Sequence, residues 1–435
     1  MIQILQFVGA LSLMVILHEL GHFLSAKAFG VRVEKFYLFF NPGFTLFKFK
    51  PKNSETEYGI GWLPFGGYVK LSGMIDESLD TKQLASEAQP WEFRAKPAWQ
   101  RLIIMAAGVF MNFLTAVIVS AMLLFAYGDR YVALNDAKYG MEFSQVAQKY
   151  GFVNGDILLM ADEKPLESLD METMRVIFDA KQITVLRAGD TIQIPVNESL
   201  KLDLIESQQG FASFRCPFVI EKVGDMTPAQ LAGLKAGDSV VAMADTPIFT
   251  HADASVILKA HRLQPMSLQY YRAGSLCTTT ITPDSAGLLG VYLTPYSKLL
   301  PVTQVNYGFF ESFPLGLERG VGMFTGYADD FKVVFTPQGA SSIGGFGTLA
   351  SLFPDSFSAQ YFWTLIAYMS VVLAFMNLLP IPGLDGGHIL FLLIECIRRK
   401  PLSQKFMVKA QIAGMILLFA LLFYANGMDL IRWLG

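Results

Sequence analysis

The chain has 435 residues, enough for two or three domains, but 52% of them are apolar and the mean hydropathy is +0.40, which excludes an ordinary soluble protein. Only 16% are charged and the formal net charge is −3, so no basic surface calls for a nucleic acid partner. Three cysteines, Cys216, Cys277 and Cys396, are too few and too scattered for a disulfide framework or a thiolate zinc site, which leaves histidine and carboxylate to hold any metal.

Residues 1–24 are the first of four stretches apolar enough to span a bilayer, which takes roughly 20 helical residues at about 1.5 Å each. No basic residue precedes the apolar run and no small-residue cleavage site follows it, so it reads as a retained transmembrane helix and not a signal peptide. Inside it stands His18-Glu19-Leu20-Gly21-His22. Histidines at i and i+4 on a helix are about 40° apart in projection and can share one metal, while the intervening glutamate can reach an attacking water. Ionisable groups at bilayer depth cost about 2.5 to 3.5 kcal/mol each on insertion scales, so such a cluster needs partners or a function.

Residues 25–100 form a region between the first two spans. In it, segments 31–50 and 58–71 alternate apolar and polar side chains around Asn41-Pro42-Gly43 and Pro64-Phe65-Gly66-Gly67, the pattern of two β-hairpins. Phe36, Tyr37, Phe39, Phe40, Phe44, Phe47, Trp62, Phe65 and Tyr68 make it unusually aromatic, which suits either a sheet dipping into the membrane interface or a small cytoplasmic domain with an aromatic core. The second span covers 101–127, where Gly108 and Asn112 read as a small-xxx-polar helix-packing pair.

Beyond it lies an internal repeat. Gly151-Phe-Val-Asn-Gly155-Asp156 matches Gly233-Leu-Lys-Ala-Gly237-Asp238, a proline follows each Asp (Pro165, Pro247), and Arg187-Ala188-Gly189 matches Arg272-Ala273-Gly274. Strand-like runs at 183–186 and 266–271 and short helices at 169–180 and 252–261 complete each copy. The two copies, 128–215 and 216–300, resemble PDZ domains of the circularly permuted bacterial type; two unrelated β-rich modules are the plainer alternative. Residues 301–360 read as an amphipathic linker.

The third span runs from 361 to about 397 and the fourth from 412 to 434. Lys27, Arg32 and Lys35, then Arg94, Lys96 and Arg101, then Arg398, Arg399 and Lys400 flank the spans on one side, which places those loops in the cytoplasm and both termini and the repeats outside. Prolines and glycines in Asn377-Leu-Leu-Pro380-Ile-Pro382-Gly-Leu-Asp385-Gly-Gly387 must break the third helix inside the membrane, and irregular backbone survives there only when buried in protein or lining a cavity. A catalytic zinc takes three protein ligands and leaves one position open. His18 lies about 25 Å along the first span, near the cytoplasmic side, and Asp385 reaches a similar depth; His388 and Glu395 are rival third ligands. His251 and His261 read as ordinary surface histidines of the outer domains.

These features together resemble the bacterial site-2 proteases, polytopic α-helical membrane enzymes with four transmembrane helices, a membrane-associated β-hairpin region and two extracytoplasmic PDZ domains. The resemblance covers essentially the whole chain and rests on His18 to His22, on Gly108-Val-Phe-Met-Asn112, and on Asn377, Pro380 and Asp385-Gly-Gly387, with an amphipathic lead-in at 93–101. It implies one catalytic zinc held by His18, His22 and Asp385, Glu19 as general base, and Asn377 as a substrate-backbone contact, with Gly108 and Asn112 letting the second span pack near the site. It offers strand addition of the substrate to the 58–71 hairpin, at Tyr58, Gly59, Ile60, Gly66 and Gly67. In Ser342-Ile-Gly-Gly-Phe346 the family usually carries a proline where this chain has Phe346. The implied substrates are single-pass membrane proteins of the bacterial inner membrane already trimmed on the outer side, anti-sigma factors of envelope stress signalling and remnant signal peptides among them. The competing classes are an inactive scaffold that binds partners through its PDZ domains, and a metal ion transporter.

Overall fold

The computed structural model describes residues 2–74, 87–207, 209–336 and 344–434; Ser342 and Ile343 of the glycine-rich segment and the side chain of Phe65 lie outside the described residues. The chain divides into two units, Met1–Gly128 with Asn306–Gly435, and Asp129–Val305.

The first unit is built from helices α1 (Ile2–Ala28), α2 (Ala98–Tyr127), α3 (Phe309–Phe331), α4 (Phe346–Ser351), α5 (Ala359–Leu378), α6 (Asp385–Arg398) and α7 (Gln404–Leu434). Among the described residues, α1, α2, α5 and α7 are long and apolar enough to cross a membrane. Helix α2 packs against α1, α3, α5 and α6. Small residues let the backbones approach, as expected where lipid supplies no hydrophobic drive between helices: a Cβ on Gly316 of α3 would stand 2.7 Å from Ala121 of α2. Helix α3 occupies much of the segment read as a linker, and Phe324 and Tyr327 set it edge-on against Phe375 of α5.

The expected break in the third span falls between α5 and α6, where Pro380 and Pro382 end one helix and Gly383 adopts φ +105. The chain then folds back over the first turn of α6 so closely that a Cβ on Gly386 would stand 2.1 Å from the Leu379 carbonyl oxygen. A Cβ on Gly387 would likewise stand 2.5 Å from the Ile381 carbonyl oxygen, so both glycines after Asp385 are steric requirements of this fold-back. At the other end of α6, Glu395 pairs with Arg101 of α2 at 2.7 Å and accepts the Leu402 amide at 2.9 Å, tying α6 to α2 through a buried charge pair.

Between α1 and α2 lies a sheet of β1 (Val33–Phe40), β2 (Phe47–Phe49), β3 (Glu57–Ile60) and β4 (Leu63–Leu71) in the order β2-β3-β1-β4. The two expected hairpins do not form. Strand β1 pairs parallel with β3 (Phe36 opposite Tyr58) and antiparallel with β4 (Tyr37 opposite Tyr68), while β2 pairs with β3. Pro64-Phe65-Gly66-Gly67, read as a turn, lies inside β4. The cause is Gly61. It donates to the Leu38 carbonyl at 2.8 Å and a Cβ there would meet the Phe40 carbonyl oxygen at 2.1 Å, so the chain crosses the end of β1 and returns on its far side. The aromatic residues divide between the two readings: Tyr37 is buried and Tyr68 stacks on both Tyr37 and Phe40, whereas Phe44, Phe47, Phe49 and Trp62 are exposed.

The second unit contains the repeat. The first copy orders its sheet Lys164–Pro165, Ile157–Ala161, Gln182–Arg187, Asp190–Pro195; the second orders Thr246–Pro247, Ser239–Met243, Met266–Arg272, Ser275–Ile281 in the same sense. Each copy has its own core, around Leu158 and Ile183 in one and Val240 and Leu268 in the other. The matched sequences meet in space: Arg187 binds Asp156 at 2.7 Å and the Gly151 carbonyl at 2.8 Å, and Arg272 binds Asp238 and the Gly233 carbonyl at the same distances. Cys216, Cys277 and Cys396 are free thiols.

Candidate active site

His18 and His22 project from one face of α1, both 7% exposed, and their Nε2 atoms lie 3.3 Å apart. Asp385, the first residue of α6, brings Oδ2 to 3.1 Å from His18 Nε2 and 3.2 Å from His22 Nε2. Donors in a tetrahedral shell at about 2.0–2.1 Å from zinc are separated by about 3.3 Å, so this triangle has the size such a site needs. Asp385 Oδ2 is also buried and meets no hydrogen-bond donor among the described residues apart from the two imidazole nitrogens, an arrangement that a cation between the three groups would satisfy. These residues therefore fit a zinc ion with two imidazole nitrogens and one carboxylate oxygen. They are the group of metal-competent side chains that converges among the described residues. His388, one turn further along α6, is not part of it, and Glu395 is already engaged by Arg101.

The surroundings orient the two rings. His22 Nδ1 donates to the Ile104 carbonyl at 2.8 Å, while the Asn112 amide lies 3.0 Å from His18 Nδ1. A Cβ on Gly108 would stand 2.3 Å from His22 Nε2 and 2.8 Å from His18 Cε1, so glycine is the residue that lets α2 lie against both imidazoles. Asn377, at the end of α5, places Nδ2 3.4 Å from His18 Nε2.

Glu19 lies beside His18, His22 and Asp385, with the backbone of Val69 in β4 near its carboxyl. Strand β4 is an edge of its sheet among the described residues, and Gly67 brings it so close to α1 that a Cβ there would stand 2.7 Å from Val15 Cγ1. The expected substrate contacts on the sheet therefore separate. Gly66 and Gly67 sit on the edge strand beside the site, but Tyr58, Gly59 and Ile60 lie on β3, paired with β1 on one side and β2 on the other, and have no free edge to offer. One contributor carried no side-chain signal in the sequence: the Ile104 carbonyl is a backbone group that only the fold brings to the site. His251 stacks on Phe218 and His261 Nδ1 meets the Ile257 carbonyl at 2.9 Å, both within the second unit.

A family model described as peptidase family M50 matches residues 6–421. The chain is 29% identical, over 99% of each sequence, to a protein of Neisseria meningitidis serogroup A provisionally named as a zinc metalloprotease. It is 27% identical to the regulator of sigma E protease of Haemophilus influenzae over 98% of each, and 25% identical to the metalloprotease MmpA of Caulobacter vibrioides over 100% of this chain and 96% of the other.

Proposed function

The chain belongs to peptidase family M50, the site-2 proteases, and from that premise we propose that it is a zinc endopeptidase that hydrolyses peptide bonds inside the membrane spans of single-pass proteins. The observation that carries this reading is the triangle of His18 Nε2, His22 Nε2 and Asp385 Oδ2, with sides of 3.1 to 3.3 Å beside the Glu19 carboxylate. Zinc held there supplies a Lewis acid that acidifies water and polarises the scissile carbonyl. Glu19 takes the proton of the attacking water and passes it to the leaving amine.

A helical substrate hides its carbonyls in hydrogen bonds, and in lipid each one that is freed costs several kcal/mol unless it finds a partner. The edge of β4 at Gly66 and Gly67 offers such partners by strand addition, and Asn377 offers an amide on the side of His18. The flanking Lys and Arg residues support an orientation with both termini and the repeats on the outer side, and the bacterial relatives support the inner membrane, with that side the periplasm. The shared Gly-Asp and Arg-Ala-Gly elements of the two copies support PDZ domains. The Haemophilus relative is named for sigma E regulation, which supports anti-sigma factor substrates cut after a first outer-side cleavage, with remnant signal peptides as a second class. A scaffold with a vestigial site would not need intact ligands and an intact Glu19.

Metal analysis of purified variants tests the ligand set. Asp385→Ala lowers both zinc content and activity, whereas His388→Ala keeps one zinc per chain; equal loss at His388 would show that the third ligand is assigned to the wrong residue.

A further inference from the structure

The histidines of α1 face a stripe of α2 formed by residues 104, 108 and 112, which four-residue spacing puts on one face. At one end a backbone carbonyl, Ile104 O, meets His22 Nδ1 at 2.8 Å. A carbonyl only accepts, so that nitrogen carries the ring's proton and Nε2 keeps its lone pair for the metal. Gly108 in the middle leaves room for both rings. At the other end no such carbonyl meets His18 among the described residues. Its Nδ1 lies 3.0 Å from Nδ2 of Asn112, a side chain that is 0% exposed and whose Oδ1 has no hydrogen-bond partner among the described residues.

An imidazole that offers Nε2 to a metal must carry its proton on Nδ1, and a buried N–H there requires an acceptor. The Asn112 amide has one acceptor atom, Oδ1. A half-turn of the amide exchanges its near-isosteric oxygen and nitrogen, so that Oδ1 replaces Nδ2 at His18 Nδ1; the oxygen then has a partner and selects the ring form that leaves Nε2 free, the same service that Ile104 performs for His22. We propose that Asn112 is a positioning residue that accepts the Nδ1 proton of His18 and thereby sets this histidine for metal binding. The proposal rests on the reading of His18 as a zinc ligand.

Helix packing alone, the meaning of a small-xxx-polar pair in a membrane, would make a different demand on this position. Packing asks for volume; the proposal asks for an acceptor. The test is the zinc dissociation constant of the purified full-length chain, measured by competition with a chelator, for the wild type, Asn112→Leu and Asn112→Asp. Leucine keeps the volume without an acceptor and is expected to weaken zinc binding by about 10–100-fold, the usual loss when a group behind a metal ligand is removed. Aspartate keeps the acceptor and is expected to stay at or near wild-type affinity. If the leucine variant does not fold, Asn112→Ala removes the acceptor without adding bulk and carries the same expectation. Wild-type affinity in the variants that lack an acceptor, or an equal loss in Asn112→Asp, would overturn the proposal. A wild-type chain that binds no zinc would instead overturn the reading of the metal site on which it stands.

Discussion

His18 and His22 stand one helical turn apart and could not close a metal site alone; Asp385 completes the triangle because the backbone folds back between α5 and α6. The pair was legible in the sequence because its spacing is local and because charge is costly at bilayer depth. The proposed third ligand is legible in the sequence only as one of three candidates, since depth along a helix does not say which way a side chain points. Glu395 was removed from the choice by Arg101, a pairing between helices far apart in sequence. Gly108 illustrates the same limit. Read alone it is a packing glycine, yet in the fold a Cβ at that position would lie 2.3 Å from His22 Nε2. Gly108→Ala is therefore expected to lower zinc affinity by about 10–100-fold, like the loss of other groups behind metal ligands. Chelator competition would measure it, and unchanged affinity would mean that α2 can shift away from the rings.

The secondary structure elements show what periodicity reveals and where it stops. Alternation marked the strands between α1 and α2, but alternation is the same whichever neighbour a strand takes, and the parallel pairing of β1 with β3 depends on Gly61 crossing the end of β1. In the second unit the repeat carried more, because Gly-Asp and Arg-Ala-Gly are two halves of one contact. Burial alone would raise the Asp238 carboxyl, but the Arg272 guanidinium and the Lys235 amide hold it below the ordinary carboxylate range. A carboxyl depressed in the folded state contributes stability that is fully present above its unfolded value, near 3.8, and is lost as pH falls through the lower folded value. Asp238→Asn is thus expected to destabilise the second copy by about 1.5–3 kcal/mol at neutral pH, the worth of hydrogen bonds to a charged group, and to flatten its loss of stability below about pH 4. Hydrogen exchange across Ser239–Met243 and Met266–Arg272 of the full chain reads this directly. Protection equal to that of the wild type at both pH values would contradict it.

For the whole molecule, the insertion of Asp129–Val305 between α2 and α3 matters most, because its ends pair with each other, Asp129 opposite Val305. The unit can therefore be removed across that pair without pulling on the membrane helices. We read the tandem domains as a steric screen that admits trimmed substrates. Deleting the unit between Asp129 and Val305 is expected to leave zinc binding and cleavage of short substrates intact while permitting cleavage of substrates that retain a folded ectodomain. Loss of cleavage for short and long substrates alike, in a folded and metallated protein, would favour recruitment instead. Both readings presuppose that the chain cuts peptide bonds in the membrane with Glu19 as its base. The most direct test compares wild type and Glu19→Gln, each reconstituted with a single-pass substrate, by zinc analysis and by mass spectrometry of the products. One zinc per chain in both proteins, with a cut inside the apolar span that Glu19→Gln slows by about 10²–10⁴-fold, is the predicted result. A zinc-loaded Glu19→Gln protein that cuts at the wild-type rate, or a wild type whose cut lies outside the apolar span, would contradict it.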